Sequence, residues 1–350
     1  ILCEEFALNI LFKEDKKNIV FGDLTAGAGP EDRYLGQANA FYYSPKTNIN
    51  LIGGGNNVGK LTFTMQDYFR FAGGLGGFAS RSGSSMNVSS NSLGFPIAER
   101  NNAQELQNEV IAVNFSTRPA DSWLLSGFAI ASKTNNRLGS VSQRNYVLQT
   151  GDNQETLISA TDTRSNAGLF KFNAKYAPSP SLQIDYNVLA RVSDSENTSL
   201  QNSEFRGTNN AIAGINAQEP WSIQNQLRAF YAIDEKNVLS LEASYEHSLQ
   251  DPLYNLSTSE RPFASLVNLS DDSPFNIVQS REIISDTQEA TLNYYRIINK
   301  TNHINFKVGN VYTSQRLTSN LIQRTNSNDL DLNNPDLIND VGYTFQDYYA

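Results

Sequence analysis

A single cysteine, Cys3, and only two histidines stand in 350 residues. One thiol excludes a disulfide framework and a cysteine metal cluster. Leu2 is too large for the small residue that usually precedes a lipidated cysteine, so Cys3 reads as an ordinary buried or lipid-facing thiol. Charged residues are just 18 % of the chain, and 27 Lys+Arg against 36 Asp+Glu leave a net charge of −9. Nucleic acid is thereby excluded as a partner, because phosphate binding needs a basic patch. No run approaches the roughly 20 apolar residues of a membrane helix, and the mean hydropathy of −0.43 agrees. A transmembrane β-barrel escapes this exclusion, since its strands place apolar residues only at every second position. Aromatic content of 11 % is too high for a disordered chain. By length alone two or three domains, or one large all-β unit, are expected. The chain opens at Ile1 with neither Met nor a basic-plus-apolar leader and ends at Ala350 in mid-pattern, so a piece of a longer protein is expected.

What the sequence does have is alternation. Phe170, Phe172, Ala174 and Tyr176 alternate with Lys171, Asn173 and Lys175. Ile184, Tyr186 and Val188 alternate with Asp185, Asn187 and Leu189, and Leu239, Leu241, Ala243 and Tyr245 with Ser240, Glu242 and Ser244. Similar patterns run through Ile304–Val308 and Phe6–Phe12. Each predicts a two-faced strand of about ten residues, the length of a tilted membrane strand.

Short polar turns separate these strands at Glu14–Asn18, Pro45–Thr47, Arg118–Asp121, Pro178–Pro180, Asp234–Asn237 and Asn299–Asn302. Long polar segments lie between the hairpins: Val58–Gln104, Asn135–Asn166, Asp194–Glu219 and Gln250–Asp286. Loops of that length are uncommon in compact soluble domains, whereas outer-membrane barrels pair short periplasmic turns with long extracellular loops. Six hairpins predict roughly a dozen strands. Aromatics beside the short turns, among them Phe21, Tyr42, Phe115, Trp123, Tyr176, Phe230, Tyr294 and Tyr295, predict an interfacial girdle. The fold expected is therefore all-β: a transmembrane antiparallel up-and-down β-barrel, with 1–350 a partial outer-membrane barrel domain.

In such a wall the polar register faces the lumen, which places Lys171, Lys175, Asp185, Arg191, Arg228, Glu242, Glu246, Glu289 and Lys307 inside. Most of these read as generic wall residues. Gly54–Leu61 nearly fits a phosphate-cradling G-x-x-x-x-G-K-[ST] loop, yet Leu61 stands where the Mg²⁺-binding hydroxyl is needed. The glycines there read as a strand coiling into a loop. His303 directly follows a short turn and His247 lies about ten residues above one, which sets the two at opposite rims of the wall. No base stands near a nucleophile. No enzyme activity, cofactor or metal is expected.

Three stretches, Ala7–Gly29, Arg33–Asn57 and Phe63–Gly74, resemble the start of the barrel in TonB-dependent outer-membrane receptors of Bacteroidota type. In particular, "FGDLTAGAG", "LIGGGNN" and "FTMQDYFRFAGG" follow that pattern; the resemblance covers roughly the first 75 residues. It implies a larger barrel of 22 strands, with a signal peptide and plug domain upstream of Ile1 and the remaining strands downstream of Ala350. It further implies a TonB complex as partner, outer-membrane lipid around the wall, and a small-molecule or oligomeric nutrient as cargo. Whether a surface lipoprotein lids the barrel stays open. Thr64–Phe71 is expected to form two helical turns with Thr64 as N-cap, and Tyr68, Phe69 and Phe71 are the candidate substrate contacts, since flat rings stack on sugars and apolar groups. The plainer reading has these rings packing the loop onto its neighbours.

The function expected is active uptake of a scarce nutrient, such as a siderophore, oligosaccharide or peptide, at the cell outer membrane. The alternatives are a non-transporting all-β surface or adhesion protein, which would require a constant repeat length, and a passive outer-membrane pore.

Overall fold

A computed structural model describes residues 18–60, 103–146, 154–262, 267–299, 301–333 and 339–350. Among them every regular element is a strand: β1 (Ile19–Ala28), β2 (Tyr34–Tyr43), β3 (Thr47–Asn56), β4 (Ala103–Thr117), β5 (Trp123–Asn145), β6 (Gln154–Ser179), β7 (Leu182–Phe205), β8 (Thr208–Gln218), β9 (Trp221–Ala232), β10 (Asn237–Gln250), β11 (Leu253–Thr258), β12 (Phe275–Ile297), β13 (His303–Arg324), β14 (Asp329–Asp331) and β15 (Asp340–Tyr349). All fifteen belong to one antiparallel sheet. The Phe6–Phe12 alternation, Cys3 and the Thr64–Phe71 helix lie outside the described residues.

Fifteen strands reduce to twelve wall strands once register is followed. β7 pairs with β9 over Leu182–Val192 and with β8 over Ser195–Phe205, without a slip between them. β8 and β9 are thus two halves of one strand, broken at Glu219-Pro220. β10 and β11 are likewise one strand broken at Asp251-Pro252, both halves pairing β12 in a single register. Proline cannot donate to a ladder, so each of these two only accepts: Ser193 N donates to Pro220 O and Arg281 N to Pro252 O, both at 3.0 Å. The facing gap is filled by Glu219 N donating to Asp251 Oδ1 at 2.7 Å. With the three-residue β14 set aside, the order is β1 to β7, β8/β9, β10/β11, β12, β13, β15. That is the up-and-down wall expected from the alternation, and its strand number is the expected dozen. Among the described residues β1 pairs only with β2, and β15 only with β13.

Five of the six short turns form where the sequence places them, for a local reason, and Glu14–Asn18 lies outside the described residues but for Asn18. Asp234 Oδ1 accepts from Lys236 N and Asn237 N, both at 2.8 Å, and Asn299 Oδ1 accepts from Thr301 N and Asn302 N. Short side-chain carboxylates and amides close such turns by standing in for a backbone acceptor.

The long polar segments are a correction. Asn135–Asn145 and Gln154–Arg164 pair residue for residue from Asn135↔Arg164 to Asn145↔Gln154, as the upper parts of strands 23 and 26 residues long. Within Asp194–Glu219 the chain turns at Arg206-Gly207, both at positive φ (52° and 74°), and returns as β8. Such φ values suit a tight two-residue hairpin. Phe275–Asp286 of the fourth segment belongs to β12. The physical reason is that water on both faces removes the need for hydrophobic alternation while the backbone ladder continues. Val58–Gln104 lies mostly outside the described residues.

At the outer end, Leu269, Phe275, Ile277 and Leu332 form a small buried core against Leu256, Val267 and Leu321. Gln323 is fully buried there and pairs like a strand residue, its Nε2 donating to Ser270 O (2.9 Å) and its Oε1 accepting from Ser270 N (2.7 Å). Asn326 adds two bonds to the Asp272 carboxylate, at 2.8 and 2.9 Å.

Candidate functional site

The pairing register assigns every wall residue to one of two faces, because directly opposed residues project the same way and neighbours along a strand project oppositely. One face carries Val113, Ala129, Phe170, Ala190 and Ile223 in one row, and Ile111, Ala131, Gly168, Val192 and Trp221 in the next. Its large apolar side chains stand open: Ile111 is 57 % exposed and Phe170 45 %. On the opposite face Ile130 and Leu169, a single step along the strand, are 3 % and 2 % exposed. A contiguous apolar surface on a one-layer sheet is far more than a water-facing wall tolerates.

This apolar face has a measurable height. Above Arg296, which stands at the lower rim beside the short turn, its first charged or imidazole side chains are Glu109, Lys133, Arg164, Asp194, His247, Asp286 and Arg316. They stand about eight to fifteen residues up their strands. Ten residues at about 3.3 Å each, on strands tilted by about 40°, rise about 25 Å, the height of the apolar band of an outer-membrane barrel. The upper limit climbs with the strand tilt and meets a charged row on one strand after another.

The other face is polar and mixed in charge. All nine residues expected in the lumen, Lys171, Lys175, Asp185, Arg191, Arg228, Glu242, Glu246, Glu289 and Lys307, fall on it. Four of them make one row of alternating sign across neighbouring strands: Lys175 on β6, Asp185 on β7, Arg228 on β9 and Glu242 on β10. Opposite charges directly across a ladder contribute about 0.2–1 kcal/mol per pair. The row above is of amides and hydroxyls: Ser126, Asn173, Asn187, Gln226 and Ser244. Further round, Asn50 Nδ2 donates to Asn114 Oδ1 at 3.3 Å. Chemically this face offers donors, acceptors and both signs of charge to whatever fills the interior. What the sequence did not signal is the apolar patch within it, where Phe128, Ile130 and Leu169 are buried among polar rows.

The aromatic girdle is only half outward. Trp123 and Tyr176 stack on the apolar face with ring centroids 4.5 Å apart, and Tyr294 meets Phe306 there at 6.4 Å. Phe21, Phe41 and Tyr43 cluster on the polar face instead, with centroids 4.9 to 6.5 Å apart. Phe230 and Tyr295 also point inward. Aromatic content beside a turn does not distinguish the faces; only parity does.

The phosphate-loop look-alike spends its amides locally. Asn56, fully buried, accepts from Val58 N (3.3 Å) and Lys60 N (3.0 Å) through Oδ1 and donates to Lys60 O (2.7 Å). His303 begins β13 and His247 sits ten residues up β10, as expected for opposite rims. His247 Nδ1 lies 2.7 Å from Asp286 Oδ1, and its ring stacks 4.8 Å from Trp221, at the upper edge of the apolar face. Higher still, Arg316 forks onto both Asp340 oxygens (3.0 and 2.6 Å), which holds the Asp340 carboxyl below its ordinary range. The Asp162 carboxylate raises the Arg137 guanidinium in the same way. The candidate contacts Tyr68, Phe69 and Phe71 lie outside the described residues.

No family model matches the chain, and no curated protein matches it. Among solved structures it is similar to the RagAB peptide importer in its "closed-closed" state, at 9 % identity and a TM-score of 0.32 over 84 % of this chain and 37 % of that one. It is also similar to the ferric citrate transporter FecA in the unliganded form, at 10 % identity and a TM-score of 0.29 over 89 % of this chain and 56 % of that one. The chain thus spans between about a third and somewhat over half of the length of these two structures.

Proposed function

We propose that this chain is part of the barrel wall of a TonB-dependent transporter in the outer membrane, taking up a scarce nutrient such as a siderophore, oligosaccharide or peptide. The observation that carries the membrane part is the exposed apolar band, about 25 Å tall by strand rise and tilt, backed by a face of mixed charge. The uptake part is supported by the motif resemblance in the first 75 residues. In this reading the band meets lipid and the polar rows meet water, a plug domain or cargo. The wall performs no chemistry, so the protein is not an enzyme, and the work of transport comes from the TonB complex acting on the plug. A surface lipoprotein would engage the outer ends of the long strands.

The test is uptake by cells that carry or lack the gene, each with and without a functional TonB complex. Accumulation of one class of labelled nutrient is expected to need both. Accumulation that needs the gene but not TonB would establish a passive pore instead, and a full-length protein that remains soluble without detergent would establish a surface module.

A further inference from the structure

The polar, inward face is not evenly charged. From β6 to β9 it carries Lys171, Lys175, Arg191 and Arg228 against Asp185 and, at the outer tip, Glu155. From β10 to β15 it carries Glu242, Glu246, Glu289 and Asp347 against Lys307 and, toward the outer end, Arg281. One half of this wall is basic and the other acidic, and a surface lined by one sign of charge raises the local concentration of the other.

The acidic half also holds a column of rings. On β15 the inward parity falls on Val341, Tyr343, Phe345 and Tyr349, with Asp347 between the last two rings. Tyr343 is 55 % exposed and Phe345 43 %, beside the polar neighbours Thr313 and Gln315. Rings two residues apart on one face of a strand stand about 7 Å from each other. Glu289 shares the row of Asp347, two strands and so about 10 Å away. Neither of these carboxylates has a hydrogen-bond or ion-pair partner among the described residues. The lowest ring already holds a cation: Lys307 Nζ lies 5.0 Å from the Tyr349 ring centroid, while Tyr349 Oη is 2.6 Å from Thr291 Oγ1. Such a cation is attracted by the negative face of the ring. Tyr343 and Phe345, with Asp347 and Glu289 beside them, offer the same chemistry to a cation from outside the chain.

We propose that this column binds cationic cargo, a ligand whose guanidinium or ammonium groups lie over Tyr343 and Phe345 and are neutralised by Asp347 and Glu289. Calling the ligand cargo rests on the transporter reading above; the binding itself does not. Charge selects the ligand. Rings alone would suit any flat or apolar group, but two uncommitted carboxylates beside them favour a cation, because charge-assisted hydrogen bonds are roughly twice as strong as neutral ones.

The test uses the full-length protein in a mild non-ionic detergent, with binding followed by isothermal titration calorimetry. The probe is a tetra-arginine peptide blocked at both ends, compared with tetra-citrulline, which keeps the shape and loses the charge. Wild type is expected to bind tetra-arginine about tenfold more tightly than tetra-citrulline, and E289Q/D347N to lose about that factor, one charge-assisted contact being worth roughly tenfold. Y343A/F345A should weaken binding about fivefold through the rings alone. D121N/E235Q removes as much charge at the short turns and should bind like wild type. No binding by wild type, equal binding of the two peptides, unchanged binding by Y343A/F345A, or equal losses in D121N/E235Q and E289Q/D347N would each overturn the proposal. Heat-modifiable gel mobility verifies that the variants are folded. Uptake by cells separates the two readings. Tetra-arginine that binds the purified protein yet is not accumulated through TonB refutes the transporter reading alone. TonB-dependent accumulation of another nutrient, by a protein that does not bind tetra-arginine, refutes the column alone.

Discussion

Replacing Phe170 with arginine separates a lipid-facing wall from a water-facing one. Phe170 lies six residues up β6 from Tyr176, close to half of a ten-residue crossing, and is 45 % exposed on the apolar face between Ala129 and Ala190. Were this face in water, Phe170→Arg would be a surface substitution away from any buried feature, worth within about 0.5 kcal/mol of zero. Beside the bilayer midplane the same change costs about 2–4 kcal/mol, because the guanidinium must stay in hydrocarbon or drag water and headgroups down to itself. The paired change at the adjacent position, Lys171→Arg, projects to the opposite, polar face and should be close to neutral. The assay is reversible denaturant unfolding of the full-length protein in phospholipid vesicles, comparing midpoints at unchanged slope. A loss of 2 kcal/mol or more for Phe170→Arg with little change for Lys171→Arg is expected. A loss below about 0.5 kcal/mol would refute the argument from register and exposure together.

Leu241→Arg should repeat the cost of about 2–4 kcal/mol on β10, while changes at Glu242 cost much less, read by the same unfolding assay. Gln323→Ala removes both bonds to the Ser270 backbone inside the outer cap, and leaving those buried groups unpaired should cost about 1–3 kcal/mol locally. Hydrogen exchange at Ser270 and Asp272 should accelerate, with the wall unaffected. At Gly127 a Cβ would come within 2.4 Å of Lys171 O and 3.1 Å of the Phe115 ring. Gly127→Ala should therefore lower the unfolding free energy by about 1–3 kcal/mol, read as a lower denaturant midpoint. The Asp234 carboxyl is held below its ordinary value by the Lys236 backbone amide and then by Asn237. A depressed folded pKa stabilises at pH above the unfolded value and is lost as pH falls through the folded one. The β9–β10 turn should thus be ordered at neutral pH and loosen only in acid below the usual carboxylate range, observable as amide exchange at Lys236 and Asn237; acid-insensitive protection would contradict this.

Some elements were legible because their cause is local. The runs at Phe170–Tyr176 and Leu239–Tyr245 alternate because each has one apolar and one polar side, and in the membrane wall we propose, lipid against water imposes period two at every crossing. The Asp234 and Asn299 turns were legible because one short side chain closes each. The upper halves of β5, β6 and β7 were not: with water on both faces nothing forces Thr161, Ser199 or Asn197 into a hydrophobic pattern, and polar strand reads like polar loop. Pro220 and Pro252 each take one donor out of a ladder. Only the pairing shows that they lie diagonally across an unbroken register, either side of the Glu219–Asp251 pair, and interrupt nothing but the ladder.

The amino-acid order by itself determined a two-faced antiparallel wall, its short turns, its dozen strands and the polar identity of one face, because solvent contrast across a strand is written at every second residue. It could not determine which rows meet across strands. That Lys175, Asp185, Arg228 and Glu242 form one row, that Phe21 and Phe41 point inward while Trp123 points out, and that the apolar band gives way to the row of Lys133 and Asp194 within one step all depend on register. Register is fixed by pairing between residues distant in sequence, and that energy exists only once the sheet is assembled.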